Sequence, residues 1–242
     1  MKYELYYWPG LQGRGEFVRL ALEDAGADYT DIALVPEDCG GGVPALMEYL
    51  EGGEVERPPF APPFLKAGRQ VVAQTANILL LLGGRLSLAP RDAAGRLWTH
   101  QLQLTIMDFV AEIHDTHHPI GSALYYEDQK AEAKRRAADF IENRMPKFLG
   151  YFERVLERNP AGGPGMVGKR ITYADLSMAQ VIAGLRYAFP KASRKALRKV
   201  PRLVALHDTV FARARIKRYA ASKRRVPFNN DGLFRRYKEL DR

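Results

Sequence analysis

The sequence predicts two unlike halves, a small α/β unit followed by an all-helical one. Three observations predict it. A strand–helix–strand pattern opens the chain. A short hairpin and one more helix then follow, ending near residue 86. From Pro90 onward the apolar residues recur only at helical spacing. The length of 242 residues suits two small domains, and a hydrophobic content of 46% is enough for a sizeable core without covalent staples.

Lys2 to Trp8 alternates and is rich in tyrosine, so it reads as a strand. Gly13 to Ala25 places Phe17, Leu20 and Ala21 on one helical face, and Gly26 stands where a helix C-terminal glycine belongs. Tyr29 to Val35 is strand-like again. Pro36 to Pro59 holds Gly40, Gly41, Gly42, Gly52 and Gly53 around a weak helical pattern at Pro44 to Leu50, and reads as a mobile excursion. Phe64 to Lys66, a turn at Ala67-Gly68, and Gln70 to Ala73 make a hairpin, and Thr75 to Leu82 makes a helix stopped at Gly83-Gly84. The order is β-α-β-(α)-β-β-α.

Beyond a boundary near Ser87 to Arg91 come three amphipathic runs, Asp92 to about His117, Glu127 to Arg158 and Thr172 to Tyr187. Pro146 should kink the second. Thr172 to Asp175 has the pattern of a capping box, with Ile171 as a possible staple. The expected organisation is therefore residues 1–86, residues 91–221, and a basic extension over 222–242.

Composition narrows the function. The single cysteine, Cys39, rules out an intrachain disulfide and suits a reducing compartment. The first ten residues lack a long apolar run, and the longest apolar stretch, Ile78 to Leu82, is far below the ~20 residues of a membrane span. A cytoplasmic protein without membrane contact is expected. Lys191 to Arg242 carries 17 Lys/Arg against 4 Asp/Glu, while the first 190 residues carry 20 against 24. A basic end attracts anions, and Phe211, Tyr219, Phe228, Phe234 and Tyr237 interleave with these charges. No nucleic-acid motif accompanies them, so most of this charge is read as solvated surface.

Several segments together resemble one family. Tyr7-Trp8-Pro9 followed by Gly13-Arg14-Gly15, then Pro63 eleven residues before Gln74, then Thr172-Tyr-Ala-Asp175, is similar in order and spacing to the tyrosine-type glutathione S-transferases, in the pi, mu and sigma branches and their bacterial relatives. The resemblance spans about Lys2 to Leu185. It implies a thioredoxin-like N-terminal domain that binds glutathione, a helical-bundle domain with a second-substrate pocket, and a homodimer. The implied activity is activation of the glutathione thiol as thiolate for attack on a hydrophobic electrophile, as in detoxification. The competing reading is a non-catalytic carrier of glutathione or hydrophobic ligands on the same fold.

The resemblance also implies residue roles. Tyr7 is the candidate hydroxyl; Tyr6 is its rival, and strand neighbours face opposite ways. Gln74 and Thr75 would meet the glutamyl end at a helix N-terminus, with Arg14 near it. Asp108 would reach the glutamyl ammonium from a partner subunit. The residue before the family's cis-proline, here Pro62, would bridge to the cysteinyl part with its backbone, but proline has no N–H to donate. The family's lysine near the glycyl carboxylate has no counterpart in Pro36 to Pro59, where only Arg57 and the backbone offer a contact.

His114-Asp115-Thr116-His117-His118 contains two histidines four apart, a spacing that suits metal ligands on one helix face. Pro119 places the run at a helix end, where histidine is favoured electrostatically. The reading adopted from sequence is that His114, His117 and His118, with Trp8, line the second-substrate pocket and that no metal is bound.

Overall fold

A computed structural model of the chain describes residues 2–53 and 55–241. Met1, Glu54 and Arg242, which the sequence reading assigned to the first unit, the glycine-rich excursion and the C-terminal extension, lie outside the described residues. Strands β1 (Tyr3–Tyr6), β2 (Tyr29–Asp31), β3 (Phe64–Ala67) and β4 (Gln70–Ala73) form one sheet in the order β2-β1-β3-β4. β1 runs parallel to β2 and antiparallel to β3. Helices α1 (Gly15–Ala25) and α3 (Thr75–Arg85) share an apolar core with Tyr3, Leu5, Leu65 and Val72 on one sheet face. On the other, Tyr6, Phe64 and Ile32 pack with Leu46 of α2 (Gly42–Glu51). The alternation in β1 thus divides its side chains between two covered faces.

Local chemistry explains the boundaries. α1 ends at Gly26, whose φ of 66° is left-handed and whose N–H donates to Glu23. The strand expected over Tyr29 to Val35 is shorter. After Asp31 the chain turns into a 3₁₀ turn, Ile32–Leu34, because the Asp31 carboxylate accepts the Ala33 N–H and draws in Arg19.

The rest is helical: α4 (Ala93–Asp115), α5 (Lys130–Asp139), α6 (Met145–Glu157), α7 (Tyr173–Ala188), α8 (Pro190–Leu197), α9 (Pro201–Ala212) and α10 (Ala214–Ala220). Pro146 lies beside an irregularity in its helix. Residues Phe140–Arg144 form a π turn joining α5 to α6, and Pro146 occupies the first turn of α6. The helix runs on without a break through this point, and the π turn takes up the hydrogen-bond register that a proline without an N–H disturbs.

The C-terminal extension is docked. Phe234 and Leu240 are buried, Tyr237 stacks on Tyr126 at 3.7 Å, and a Cβ on Gly184 would overlap the Phe234 ring. Asp241 accepts the Lys191 and Ala192 N–H groups at 2.9 Å each, capping α8. Part of the basic surplus also has partners. Arg213, Arg224 and Arg225 pair with Asp24, Glu23 and Glu16 of α1. These three stand apart from the solvated surface to which the sequence reading assigned most of the surplus. Among the described residues no helix is long and apolar enough to cross a membrane.

Candidate active site

The strand register gathers the residues that matter. Tyr6 is the partner of Phe64, and Phe64 the partner of Ala73. Tyr7 leaves the end of β1, Pro63 enters β3 beside it, and Gln74 leaves β4 next in line. These three positions therefore sit at one end of three adjacent strands. The Pro62–Pro63 peptide is cis. Gln74 is exposed and takes a positive φ of 69° as it turns the chain into α3. Thr75, the first residue of α3, is buried, and its hydroxyl has no hydrogen-bond partner among the described residues.

Tyr7 and its rival Tyr6 occupy opposite environments. Tyr6 stacks on Phe64 at 4.6 Å, lies beside Tyr49, and donates to Glu4 at 2.9 Å, so its hydroxyl is committed on the α2 side of the sheet. Burial and that carboxylate raise its pKa well above the phenol range. Tyr7 sits under the start of α1, where its oxygen accepts the Arg14 N–H at 2.9 Å. A Cβ on Gly13 would overlap the Tyr7 hydroxyl, and one on Gly15 would come within 2.7 Å of its ring. These two glycines let the backbone close on the phenol. Burial raises the Tyr7 pKa, against the Arg14 N–H and the charges of Arg14 and Arg19. The group stays a protonated donor near neutral pH, with its O–H proton free for a ligand.

Arg19 is the residue the sequence reading missed. It is fully buried, pairs with Asp31 at 2.5 Å, donates to the carbonyls of Leu11 and Gln12, and lies 5.8 Å from the Tyr7 ring. Arg19 lies off the helical face that carries Phe17 and Leu20, so apolar periodicity gave no signal for its burial. The loop after Tyr7 is also held from the far end of the chain. Gln12 donates to the Val226 carbonyl and accepts from Gln180, and Asn229 donates to the Gly10 carbonyl.

The other candidates fall elsewhere. The Arg14 side chain is half-buried at the start of α1, and Trp8 stands at the surface. Asp108 is exposed on α4, in line with exposed Leu97, Gln101 and Leu104 at spacings of three and four. Arg57 is solvent-exposed beside Glu56. His114, His117 and His118 are drawn together, with ring centroids 4.9–5.0 Å apart. Burial and the charges of Arg14 and Arg235 hold His114 down to about 4. Burial holds His117 down to about 3, although its bond to the Leu233 carbonyl opposes this.

The chain is similar in sequence and fold to known proteins. Residues 114–223 match the family model for the glutathione S-transferase C-terminal domain. The chain is 26% identical to a glutathione S-transferase of Dirofilaria immitis over 96% of its length and 99% of that protein's. It is 25% identical to glutathione S-transferase P 2 of Bufo bufo, covering 95% and 98%. The fold matches the pi-class glutathione S-transferase of Onchocerca volvulus with a TM-score of 0.73 at 21% identity, covering 96% and 99%. These similarities support a glutathione S-transferase for this chain.

Proposed function

We propose that residues 1–86 bind glutathione and that Tyr7 donates a hydrogen bond to its sulfur, holding it as thiolate for attack on an apolar electrophile. The observation that carries this reading is the convergence of Tyr7, Pro62-Pro63 and Gln74-Thr75 at one sheet end. A free thiol has a pKa near ~8.5, so only a minority is ionised at neutral pH. Lowering it by two units requires about 2.7 kcal/mol of preferential stabilisation, and one charge-assisted hydrogen bond supplies about 1.5–3 kcal/mol.

The unpartnered Thr75 hydroxyl and the N-terminus of α3 suit the glutamyl carboxylate, with Gln74 and Arg14 close by. The electrophile pocket would lie in residues 91–221 and be bordered by Trp8 and the edges of His114, His117 and His118. Dimerisation through α4 would bring in Asp108 from a second copy. The exposure of Leu97 (71%) and Leu104 (49%) on the same face of α4 supports such a contact. Retention on immobilised glutathione, with elution by free glutathione, tests the reading, and flow-through would overturn it. Retention without turnover of any electrophile would favour the carrier.

Pro62 gives a sharper expectation. Only its carbonyl can bridge to the cysteinyl part of glutathione, so one backbone hydrogen bond is absent. That loss costs about 0.5–1.5 kcal/mol. Pro62→Val restores the donor and should tighten glutathione binding several-fold in calorimetry. Unchanged affinity in a folded variant would show that this bridge does not limit binding.

A further inference from the structure

We propose that His114, His117 and His118 form a three-imidazole site for a zinc-type divalent metal ion, with a fourth position left for a small anionic or water ligand. The three ligand-capable nitrogens lie within 4.8 Å of one another, and the ring centroids form a nearly equilateral triangle of 5.0, 5.0 and 4.9 Å. Three imidazoles bound tetrahedrally at about 2.0–2.1 Å per bond place their ring centroids roughly 5 Å apart. Small ring rotations, with the centroids left in place, would turn the nitrogens inward.

The protonation pattern is also that of ligands. Leu233 accepts from His117 Nε2 at 3.0 Å, which assigns the proton to Nε2 and leaves Nδ1 with a lone pair. That Nδ1 is buried without a partner in a residue only 1% exposed. An unmet buried acceptor is costly, and a metal would satisfy it. The Gln129 amide nitrogen lies 3.2 Å from His118 Nδ1 and also reaches the carbonyls of Gly121, Leu124 and Tyr125, so an ion bound through that nitrogen would displace one of its contacts. Carbonyls that orient the far side of ligating histidines are the usual support of such sites. His114 is half-buried at the edge of the cluster. Imidazole ligands suit zinc, cobalt, nickel and copper better than calcium or magnesium.

The charges facing the cluster are cationic. Arg14 from the start of α1 acts on His114, and Arg235 from the C-terminal extension acts on all three rings. They oppose a bare dication, and they favour an anion in the fourth position, which lowers the net charge.

The test uses untagged full-length protein, stripped with a chelator and titrated with cobalt(II) alone. One equivalent should bind, with the intensified visible absorption of a four-coordinate ion. Zinc(II) should displace the cobalt and raise the melting temperature. His114→Asn and His117→Asn should each weaken cobalt binding about tenfold or more, while His207→Asn, outside the cluster, should leave it unchanged. His114 is half-exposed, so its variant decides the matter even if His117→Asn fails to fold. Absence of stoichiometric binding, or binding undiminished in His114→Asn, would overturn the proposal.

Discussion

Tyr7→Phe should lower conjugation of glutathione to chlorodinitrobenzene by one to two orders of magnitude, or about 1.4–2.7 kcal/mol. The ring stays, so the contacts with Gly13 and Gly15 and the position over Arg19 are kept. Only the hydroxyl is lost. Its oxygen accepts the Arg14 N–H, which makes its own proton a better donor to a thiolate. The loss should therefore fall on the ionisation of the bound thiol. Its pKa should rise toward that of free glutathione, the rate should recover as pH increases, and glutathione affinity should change little. Tyr6→Phe is the control, because the Tyr6 hydroxyl is spent on Glu4 of the same strand, on the sheet face away from Tyr7. Damage by Tyr6→Phe and none by Tyr7→Phe would reverse the assignment. Gly13→Ala offers an independent check. A methyl group there overlaps the phenol oxygen, so it should displace Tyr7 and cost at least as much activity while leaving the hydroxyl in the chain.

The features legible in the sequence were those set by short-range rules. Gly26 marked the end of α1 because a left-handed residue there favours glycine. Hairpin β3–β4 and the start of α3 were readable from their turn residues and apolar alternation. The site was legible only as a set of separated motifs. Nothing in Tyr7, Pro63 and Gln74 individually says that they meet; the strand register does. What escaped was long-range. The burial of Arg19 depends on Asp31, twelve residues away, and on two loop carbonyls. The hold of Gln12 on Val226 spans 214 positions. The shortening of β2 turned on one aspartate choosing a local N–H over the ladder. Pro146 marked an irregular place in its helix, but helical spacing could not show that the irregularity is a π turn.

Asp175→Ala should be among the most destabilising changes away from the candidate active site, at about 2–5 kcal/mol. The Asp175 carboxylate is fully buried at the start of α7. It accepts the Thr172 N–H, the Thr172 hydroxyl and the Met166 N–H, each at 2.7 Å. The first two bonds close the N-terminus of α7. The third ties down the loop before it, where Gly165 comes so near that a Cβ would lie 2.7 Å from the carboxylate. α7 is the most buried helix of the helical half, and its Leu176, Ile182 and Leu185 belong to the core shared with α1 and α3. Alanine would leave two buried N–H groups and one hydroxyl unmet, each costing about 1–3 kcal/mol before relaxation. Against a typical total of 5–15 kcal/mol, that is a large share. The urea midpoint should fall sharply with little change in slope. Thr172→Val removes only the hydroxyl and should cost about 1 kcal/mol. A midpoint for Asp175→Ala within 1 kcal/mol of the parent would mean that water or a shifted backbone replaces the carboxylate, and that the cap does not anchor the two halves.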